Sequence, residues 1–261
     1  MKANYHTHTK FCGHASGKAW DYVKEAIKQK FEVIGISDHA PNYRVQDTNV
    51  RMKEDKFLEY IADIDQANTL AEGKIKVFKG LEVEFFFDHE QYYLDLHNHV
   101  DYMIHGQHYI SMTNEMNNLI SGFALGTKEE IFKYSEYLVQ AMESKNFAFL
   151  AHPDLYMCGY RDFDQYAEEV AHIICKKAVE TDTILEFNAN GFRRGVQKTP
   201  QGFLQPYPRL EFWEIVKSYG IKTIISSDCH SPKLLYDTGI KEAEEVYNKL
   251  GLNEVTFLNI K

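Results

Sequence analysis

Short apolar runs alternate along the chain with stretches in which apolar residues recur at helical spacing, the pattern of βα units around a parallel sheet. Residues three or four positions apart predict helices, as at Trp20, Val23 and Ile27. The same spacing recurs within residues 57–64, 131–138, 210–216 and 240–250. Seven runs have the length and composition of strands, at residues 4–8, 32–37, 75–84, 101–104, 147–151, 183–188 and 222–226.

Two segments fit neither pattern, residues 85–99 and 109–127. The second is rich in Asn, Ser and Gly, and we expect it to form a loop over the functional site. Seven strands are one fewer than the usual barrel of eight. The barrel therefore closes with seven strands, or a further strand lies in these segments or in the tail at residues 252–260. No linker rich in Ser, Gly or Pro divides the 261 residues, so we expect a single domain over residues 1–261.

Composition narrows the class of protein. The hydrophobic fraction of 44% and the charged fraction of 26% are ordinary for a globular chain. The net charge of -9 argues against a nucleic-acid partner, whereas a small anionic substrate needs only a local cation. We find no signal peptide and no apolar run of the ~18 residues that a membrane span needs. The cysteines, Cys12, Cys158, Cys175 and Cys229, show no CxxC spacing, and we expect a cytoplasmic protein without disulfides.

Residue types that bind metals follow the apolar runs. His6 and His8 lie one residue apart on the first predicted strand, and so their side chains share a face and can bind one ion. The carboxyl ends of parallel strands meet at one rim of a barrel, where residues distant in sequence converge. The sequence therefore predicts a metal site on that rim. Its candidate ligands are His6, His8, His14, His39, Glu82, His108, His152, Asp228 and His230.

The other histidines are assigned differently. A single histidine is as often a hydrogen-bonding loop residue as a ligand, and only the set as a whole indicates metals. We expect His89, His97, His99 and His172 to be solvated, because they fall in predicted loops or helices. His105 lies three residues before His108 on the same strand, and we leave it behind the ligands rather than among them.

Several short motifs resemble those of the polymerase and histidinol phosphatase (PHP) superfamily. They are the HTH of residues 6–8, FCGHASG of residues 11–17 and SDHAP of residues 37–41. The resemblance extends over nearly the whole chain, through GLE at 80–82, AHP at 151–153, EFN at 186–188 and DCHSP at 228–232. Within the superfamily the closer match is to histidinol-phosphate phosphatases. Cys229 departs from the small residue common in the family, but its neighbours Asp228 and His230 are present.

The resemblance implies a distorted seven-stranded (β/α)7 TIM-like barrel with three divalent transition-metal ions, which His/carboxylate sites accept as zinc, iron or manganese. By motif, the first ion takes His6, His8, Glu82 and Asp228. The second takes Glu82, His108 and His152, and the third takes His14, His39 and His230. His108 is assigned by treating residues 101–104 as the strand that precedes the family's ligand.

The resemblance further implies hydrolysis of L-histidinol phosphate to L-histidinol and phosphate, a step of histidine biosynthesis. Two cations that share a carboxylate, here Glu82, hold a water whose pKa falls from about 15.7 towards ~7, and the resulting hydroxide attacks the phosphate in line. Asp228 or a metal-bound water is the candidate donor of a proton to the leaving alcohol. Asp38 precedes a ligand, and we expect it to orient the site.

Positive side chains near the predicted rim are few. We expect Arg161 and Arg193 to bind phosphate, with Arg194 a less favoured candidate. Ser16, Asn42 and Tyr43 lie beside ligand motifs and are candidates for the wall of the site. The imidazole and ammonium of histidinol phosphate need acceptors, for which the sequence offers residues such as Asp154 and Glu84.

Three other functions remain open. A PHP nuclease or nucleotide phosphatase is the nearest alternative, and the acidic charge disfavours it. An amidohydrolase also begins with His-x-His, but it expects a lysine on the fourth strand, and residues 101–108 contain none. A non-catalytic PHP module would have lost ligands, whereas all nine candidates are present. The sequence does not fix the oligomeric state.

Overall fold

The computed structural model describes residues 1–42, 44–45, 49–113 and 118–260. Tyr43, a candidate for the wall of the site, lies outside them. The strands in this part are β1 (Ala3–Asn4), β2 (Val33–Ile36), β3 (Lys76–Val83), β4 (Tyr102–His105), β5 (Tyr109–Ser111), β6 (Leu119–Ser121), β7 (Leu185–Asn188), β8 (Gln197–Thr199), β9 (Gly202–Leu204), β10 (Lys222–Ser226) and β11 (Asn253–Glu254).

Helices occupy much of the chain between the strands. They are α1 (Ala19–Lys28), α2 (Phe57–Ala71), α3 (Glu90–His97), α4 (Lys128–Ser144), α5 (Met157–Tyr160), α6 (Gln165–Thr181), α7 (Asn190–Arg193), α8 (Leu210–Ser218) and α9 (Thr238–Leu250). Single 3-10 turns lie at Lys10–Cys12, Glu54–Lys56, Gly122–Ala124 and Pro232–Leu234. Among the described residues, no helix is both long enough and apolar enough to cross a membrane.

Parallel pairing organises the strands into two main sheets. The first is a curled four-stranded sheet in the order β1-β2-β3-β4, and the second has the order β11-β10-β7. Isolated parallel bridges connect Leu150 to both His105 and Leu185, and connect Thr7 to Cys229. The chain is therefore an α/β protein in which bridges link the first sheet to β7, an edge strand of the second sheet, and to the residues that follow β10, its central strand.

The side chain of Asn4 connects β1 to the residue that follows β10. Its amide donates to the hydroxyl of Thr7 at 2.6 Å, and its Oδ1 accepts from the backbone of Ser227 at 2.7 Å across a sequence separation of 223. The contact joins β1 to the end of β10, next to the Thr7–Cys229 bridge. We call this contact the seam.

Two apolar clusters fill the molecule. The smaller includes Tyr5, Phe78, Tyr102, Phe149 and Ile224, so that both sheets contribute to it. Gly35 leaves space for the side chain of Tyr102, because a Cβ at this position would lie 2.0 Å from the Tyr102 hydroxyl. The larger cluster packs helices on strands.

The helical faces expected from the sequence agree with the structure in most places. Ile131, Tyr134 and Leu138 of α4 are fully buried, as predicted. Leu210 is 47% exposed, although its spacing predicted burial, because it is the first residue of α8 and only Trp213 and Val216 reach the core. Capping residues set several helix starts, and Thr127 forms a capping box with Glu130 at α4.

The two segments that fitted neither the strand nor the helix pattern contain a helix and two strands that the sequence did not predict. Residues 85–99 contain α3, and the expected loop at 109–127 contains the antiparallel hairpin β5–β6. The tail contributes β11, which pairs with β10. In the predicted strand at 147–151 the parallel bridges lie at Leu150, and the backbone of Ala148, Phe149 and Ala151 forms hydrogen bonds with β4. Each of the other six predicted runs contains or overlaps a strand.

Candidate metal centre

His6 and His8 follow β1 directly, and both imidazoles are buried. Their ring centroids lie 5.0 Å apart. Nδ1 of His6 contacts Oε1 of Glu186 at 2.7 Å, which turns its Nε2 in the opposite direction, towards Glu82 and Asp228. A carboxylate on the far nitrogen is the usual support of a metal-binding histidine.

Glu82 on β3 is the central carboxylate of the site. Its Oε2 lies 2.8 Å from His39 Nδ1 and 3.3 Å from His6 Nε2. Its Oε1 lies 2.9 Å from His152 Nε2 and 3.4 Å from His108 Nε2. Gly106 permits this placement, because a Cβ there would lie 1.9 Å from Oε1 of Glu82. His8 Nε2 lies 3.4 Å from Oε2 as well, so one oxygen faces three imidazoles and the other faces two, as expected of a carboxylate shared by two ions.

Asp228, just beyond β10, is the second carboxylate of the cluster. Its Oδ1 lies 3.1 Å from His8 Nε2, 3.6 Å from His6 Nε2 and 3.6 Å from His230 Nδ1. Its Oδ2 accepts from the side-chain amides of Asn188 at 3.1 Å and Asn190 at 3.3 Å. The amides leave Oδ1 directed at the imidazoles. Its positive φ of 45° is uncommon for aspartate and marks a tight turn out of the strand.

The imidazoles of His14 and His230 lie next to His8 and His39. The ring of His14 lies 4.5 Å from that of His230 and 5.5 Å from that of His39. His8 stacks on His230 at 4.3 Å. The structure therefore brings all nine candidate ligands into one contiguous cluster.

The donor atoms fit metal ions. Nε2 of His6, Nε2 of His8, Oε2 of Glu82 and Oδ1 of Asp228 are buried without a hydrogen-bond partner. Buried polar atoms without partners are costly, and a cation among these would satisfy them together. Two compatible groups, each with ligand atoms within 4.8 Å of one another, are His6, His8 and Asp228, and His6, Glu82 and His152.

The surrounding charges keep both carboxylates of the cluster ionised, as metal ligands need to be. Burial opposes the ionisation of Glu82, but the imidazoles of His39 and His108 outweigh it and hold its pKa well below the usual value. The imidazoles around Asp228 likewise lower its pKa. Burial lowers the pKa of His39 well below its ordinary value and that of His230 to about 4. The carboxylates therefore stay ionised. Burial opposes the protonation of His6 and His108 as well, but the surrounding carboxylates outweigh it and raise the pKa of both imidazoles, so a metal ion bound there would displace a proton.

Asp38 holds the turn that carries His14. Its carboxylate accepts from the backbone and the hydroxyl of Thr9, each at 2.7 Å, and from the backbone of Cys12 at 3.2 Å. Burial raises its pKa to about 8. Asp38 is not among the residues that line the cavity described next, and its carboxylate contacts Thr9 and Cys12.

A cavity of about 310 Å³ opens over the cluster. Most of the candidate ligands reach it, namely His14, His39, Glu82, His108, His152, Asp228 and His230. The rest of its wall includes Arg51, Tyr109, Ser121, Phe123, Arg194 and Tyr207. The hairpin β5–β6 and the turn after it supply Tyr109, Ser121 and Phe123, where the sequence predicted a loop over the site.

The three arginines expected at the phosphate have different positions. Arg194 lines the cavity, donates from Nε to the hydroxyl of Tyr207 at 3.0 Å, and lies 4.5 Å over the ring of Phe123. Arg193 instead pairs with Asp237 at 2.9 Å and donates to the carbonyl of Ser227 at 2.6 Å. Arg161 is exposed and does not line the cavity. The structure thus brings the least favoured of the three to the site.

Other candidates for the wall lie outside the cavity. Asn42 is buried and accepts from the backbone of Arg44, and the carbonyl of Ser16 accepts from the hydroxyl of Tyr22. Asp154 accepts from the backbone of Arg209 at 2.6 Å. These groups are engaged in structural contacts, and none of them lines the cavity.

His105 and His89, which were not candidate ligands, are both buried. His105 is buried behind the ligands, with Nε2 2.8 Å from Oε1 of Gln107. His89 was expected in solvent, but it is only 4% exposed, because its ring packs against Phe86 and Tyr92.

Sequence reasoning assigned no role to Glu186, Tyr207 or Phe123. Glu186 lies within the EFN motif, and its place at the end of a strand is a signal that could have identified it. Phe123 lies in a segment without periodicity and gave no such signal.

Comparison with known proteins defines the class. The family model for the PHP domain matches residues 4–190, and the chain belongs to that family. A protein of Deinococcus radiodurans described as a probable histidinol-phosphatase is 27% identical over 98% of this chain and 96% of its own length. One of Schizosaccharomyces pombe with the same description is 25% identical over 89% of this chain and 81% of its own length.

A solved structure supports the fold. Histidinol phosphate phosphatase from Lactococcus lactis, complexed with zinc, L-histidinol and phosphate, matches with a TM-score of 0.73 and 20% identity. The match covers 98% of this chain and 97% of that one. The chain therefore has the α/β fold of PHP proteins.

Proposed function

We propose that this protein is a metal-dependent phosphatase that hydrolyses L-histidinol phosphate to L-histidinol and phosphate. The observation that carries the proposal is the buried cluster of imidazoles around Glu82 and Asp228, which opens on a cavity containing Arg194. Support for the substrate comes from the relatives described as histidinol-phosphatases, which align over most of their length.

We assign three divalent transition-metal ions to the cluster. His6, His8, Glu82 and Asp228 hold the first, Glu82, His108 and His152 the second, and His14, His39 and His230 the third. The L. lactis relative contains zinc, and iron or manganese suits the same donors. Bound there, divalent cations polarise phosphoryl oxygens and lower the pKa of water.

Arg194 is placed to bind the phosphate. The hydroxyl of Tyr207 accepts a hydrogen bond from its Nε, and the ring of Phe123 packs against its guanidinium. Together these contacts fix the orientation of the guanidinium group. The terminal nitrogens have no protein hydrogen bond among the described residues and belong to a side chain that lines the cavity. A fixed guanidinium fork matches two phosphate oxygens. We therefore assign the phosphate contact to Arg194 in preference to Arg161 and Arg193.

The substrate's imidazole and ammonium require a different part of the wall. Tyr109, Phe123 and Tyr207 offer aromatic faces, on which rings and cations both pack favourably. Ser121 adds a hydroxyl. A cavity of about 310 Å³ lies at the lower end of the range for ligand sites, which suits a molecule of this size.

The carboxylates have separate roles in this proposal. Glu82 would be a ligand of both the first and the second ion. Asp228, oriented by Asn188 and Asn190, is our candidate to return a proton to the leaving alcohol. Asp38 acts on the turn of Thr9 and Cys12 rather than on the substrate.

We also propose that the two parallel sheets form one closed barrel of seven strands within a single domain. The bridges at Leu150 and Thr7 support this, since they span the gaps between β4 and β7 and between β10 and β1. Residues 147–151 then take the fifth position in the ring, and β11 is an addition outside it.

Phosphate release tests the function. At equal metal loading, L-histidinol phosphate is compared with phosphoserinol, glycerol phosphate and a nucleotide. We expect the highest kcat/KM for L-histidinol phosphate, because phosphoserinol and glycerol phosphate have no ring to pack on the aromatic wall and a nucleotide has no ammonium group. Faster turnover of a nucleotide or of a labelled oligonucleotide would replace this function by that of another PHP phosphoesterase. Absence of phosphate release from every compound would contradict the phosphatase class.

A further inference from the structure

A further buried carboxylate, Glu84, follows directly after β3, two residues beyond Glu82. Residues two apart on an extended chain point to the same face, so Glu84 lies on the side of the metal cluster. It is 1% exposed and does not line the cavity. Its role is therefore to be sought in its contacts with protein groups.

Two side chains meet Glu84 at one oxygen. Oε1 lies 2.5 Å from Nη2 of Arg51 and 3.4 Å from Nδ1 of His108. Arg51 is also buried, and its Nη1 donates to the carbonyl of Ala40 at 3.3 Å, next to the ligand His39. A buried carboxylate needs such a counter-ion, and Arg51 supplies it.

The same arrangement occurs on the other side of Glu82. Glu186 contacts Nδ1 of His6, whose Nε2 faces Oε2 of Glu82 at 3.3 Å. Glu84 faces Nδ1 of His108, whose Nε2 faces Oε1 of Glu82 at 3.4 Å. Each oxygen of Glu82 is thus met by an imidazole with a carboxylate behind it.

We propose that Glu84 is a positioning residue for the metal centre: it accepts a hydrogen bond from Nδ1 of His108 and so presents Nε2 to the ion shared with Glu82. Arg51 compensates the charge of Glu84. The inference rests on the metal assignment of the proposed function and not on the substrate. It replaces the expectation that Glu84 receives the substrate's amine, because Arg51 already occupies its carboxylate.

Two matched double variants isolate the hydrogen bond. The first combines Arg51→Met with Glu84→Gln, which removes both charges but keeps an oxygen for His108. The second combines Arg51→Met with Glu84→Met, which removes the oxygen as well. Buried ion pairs tolerate neutral replacements of similar volume, and so both proteins should fold. Zinc affinity is measured by chelator competition and zinc content by elemental analysis, with thermal melts of the metal-free proteins alongside.

We expect the double variant with Glu84→Met to bind one equivalent of zinc about 10- to 100-fold more weakly than the one with Glu84→Gln, the usual effect of losing a partner behind a ligand. The other equivalents should be unchanged. Glu84→Gln and Glu84→Met in the presence of Arg51 give the same comparison independently. Equal zinc affinities in both pairs would overturn the proposal. So would unchanged affinity with a loss of kcat/KM for L-histidinol phosphate but not for glycerol phosphate, since that outcome makes Glu84 a substrate contact.

The zinc comparison needs no turnover. A protein that fails to release phosphate from any ester still reports whether Glu84 supports a ligand. Failure of the phosphatase proposal and failure of this inference are therefore separate results.

Discussion

Arg194 is fixed by two aromatic side chains and by a hydrogen bond. Phe123 lies between it and His108, whose ring is nearly parallel to that of Phe123 at 6.1 Å. The hydroxyl of Tyr207 holds Nε. An arginine restrained in this way loses little side-chain freedom when it binds an anion, which favours tight binding.

Replacing Arg194 by methionine should therefore lower kcat/KM for the phosphate ester by about 10- to 100-fold, because a hydrogen bond to a charged group contributes roughly 1.5–3 kcal/mol. Metal content should stay the same. Arg161→Met is the matched control, since Arg161 is exposed outside the cavity, and its kinetics should be those of the parent. The reverse result, with Arg161 sensitive and Arg194 tolerant, would return the phosphate contact to Arg161.

Glu82→Gln should be among the most damaging single changes. It keeps the shape of the side chain but removes the charge that faces His39, His6, His152 and His108. We expect loss of more than one metal equivalent by elemental analysis and loss of most activity. Glu136→Gln, an exposed change on α4, is the control. Normal metal content in the Glu82 variant would contradict the shared-ligand role.

For individual residues, the candidate ligands could be predicted from the sequence, but which arginine reaches the cavity could not. A ligand candidate was recognisable because it follows an apolar run, and strand ends converge whatever the details of the turns. The direction of Arg193 and Arg194 depends on α7, a helix of four residues. Successive helical residues point about 100° apart, so neighbours in sequence face different surroundings.

Among the elements, the hairpin β5–β6 decides the shape of the cavity. Its strands have three residues each, too few for a periodic pattern, which explains why the sequence predicted a loop there. The 3-10 turn that follows carries Phe123 to His108 and Arg194. Longer elements such as α2 and α4 carried clear periodicity and were predicted.

The start of α4 is set by a cap that can be tested alone. The hydroxyl of Thr127 accepts from the backbone of Glu130, whose carboxylate accepts from the backbone of Thr127. Thr127→Ala should cost about 1 kcal/mol of unfolding free energy, or a Tm lower by roughly 2–4 °C for a chain of this size. Thr127→Ser keeps the cap, and its Tm should remain near that of the parent. Equal melting of the two variants would show that the cap is unimportant.

For the whole molecule, the metal cluster couples folding to ion binding. An ion that binds only the folded chain stabilises it by about 2.7 kcal/mol at a concentration 100 times its Kd. We therefore expect chelation to abolish activity and to lower Tm, and zinc to restore both. Scanning calorimetry with and without chelator measures the shift. Full activity in a demonstrably metal-free sample would be incompatible with the proposed mechanism.

The alternation of apolar runs was enough to predict the α/β class and six of the strands. It did not predict how short the regular pairing of residues 147–151 is: the bridges lie at Leu150, and Ala148, Phe149 and Ala151 add backbone hydrogen bonds to β4. Such pairing depends on the neighbouring strands and not on composition alone. The tail strand β11 was also missed, because two residues carry no pattern.

The seam has a consequence for synthesis on the ribosome. His6 and His8 are translated more than two hundred codons before Asp228 and before Ser227, the seam partner of Asn4, because the seam spans a separation of 223 residues. At about 5–20 residues per second that interval is on the order of 10–45 s. During it the nascent chain exposes a histidine pair without its carboxylate, and such a pair holds an ion weakly. A message truncated before the codon of Asp228 therefore yields a product that cannot mature, however much metal the cell supplies.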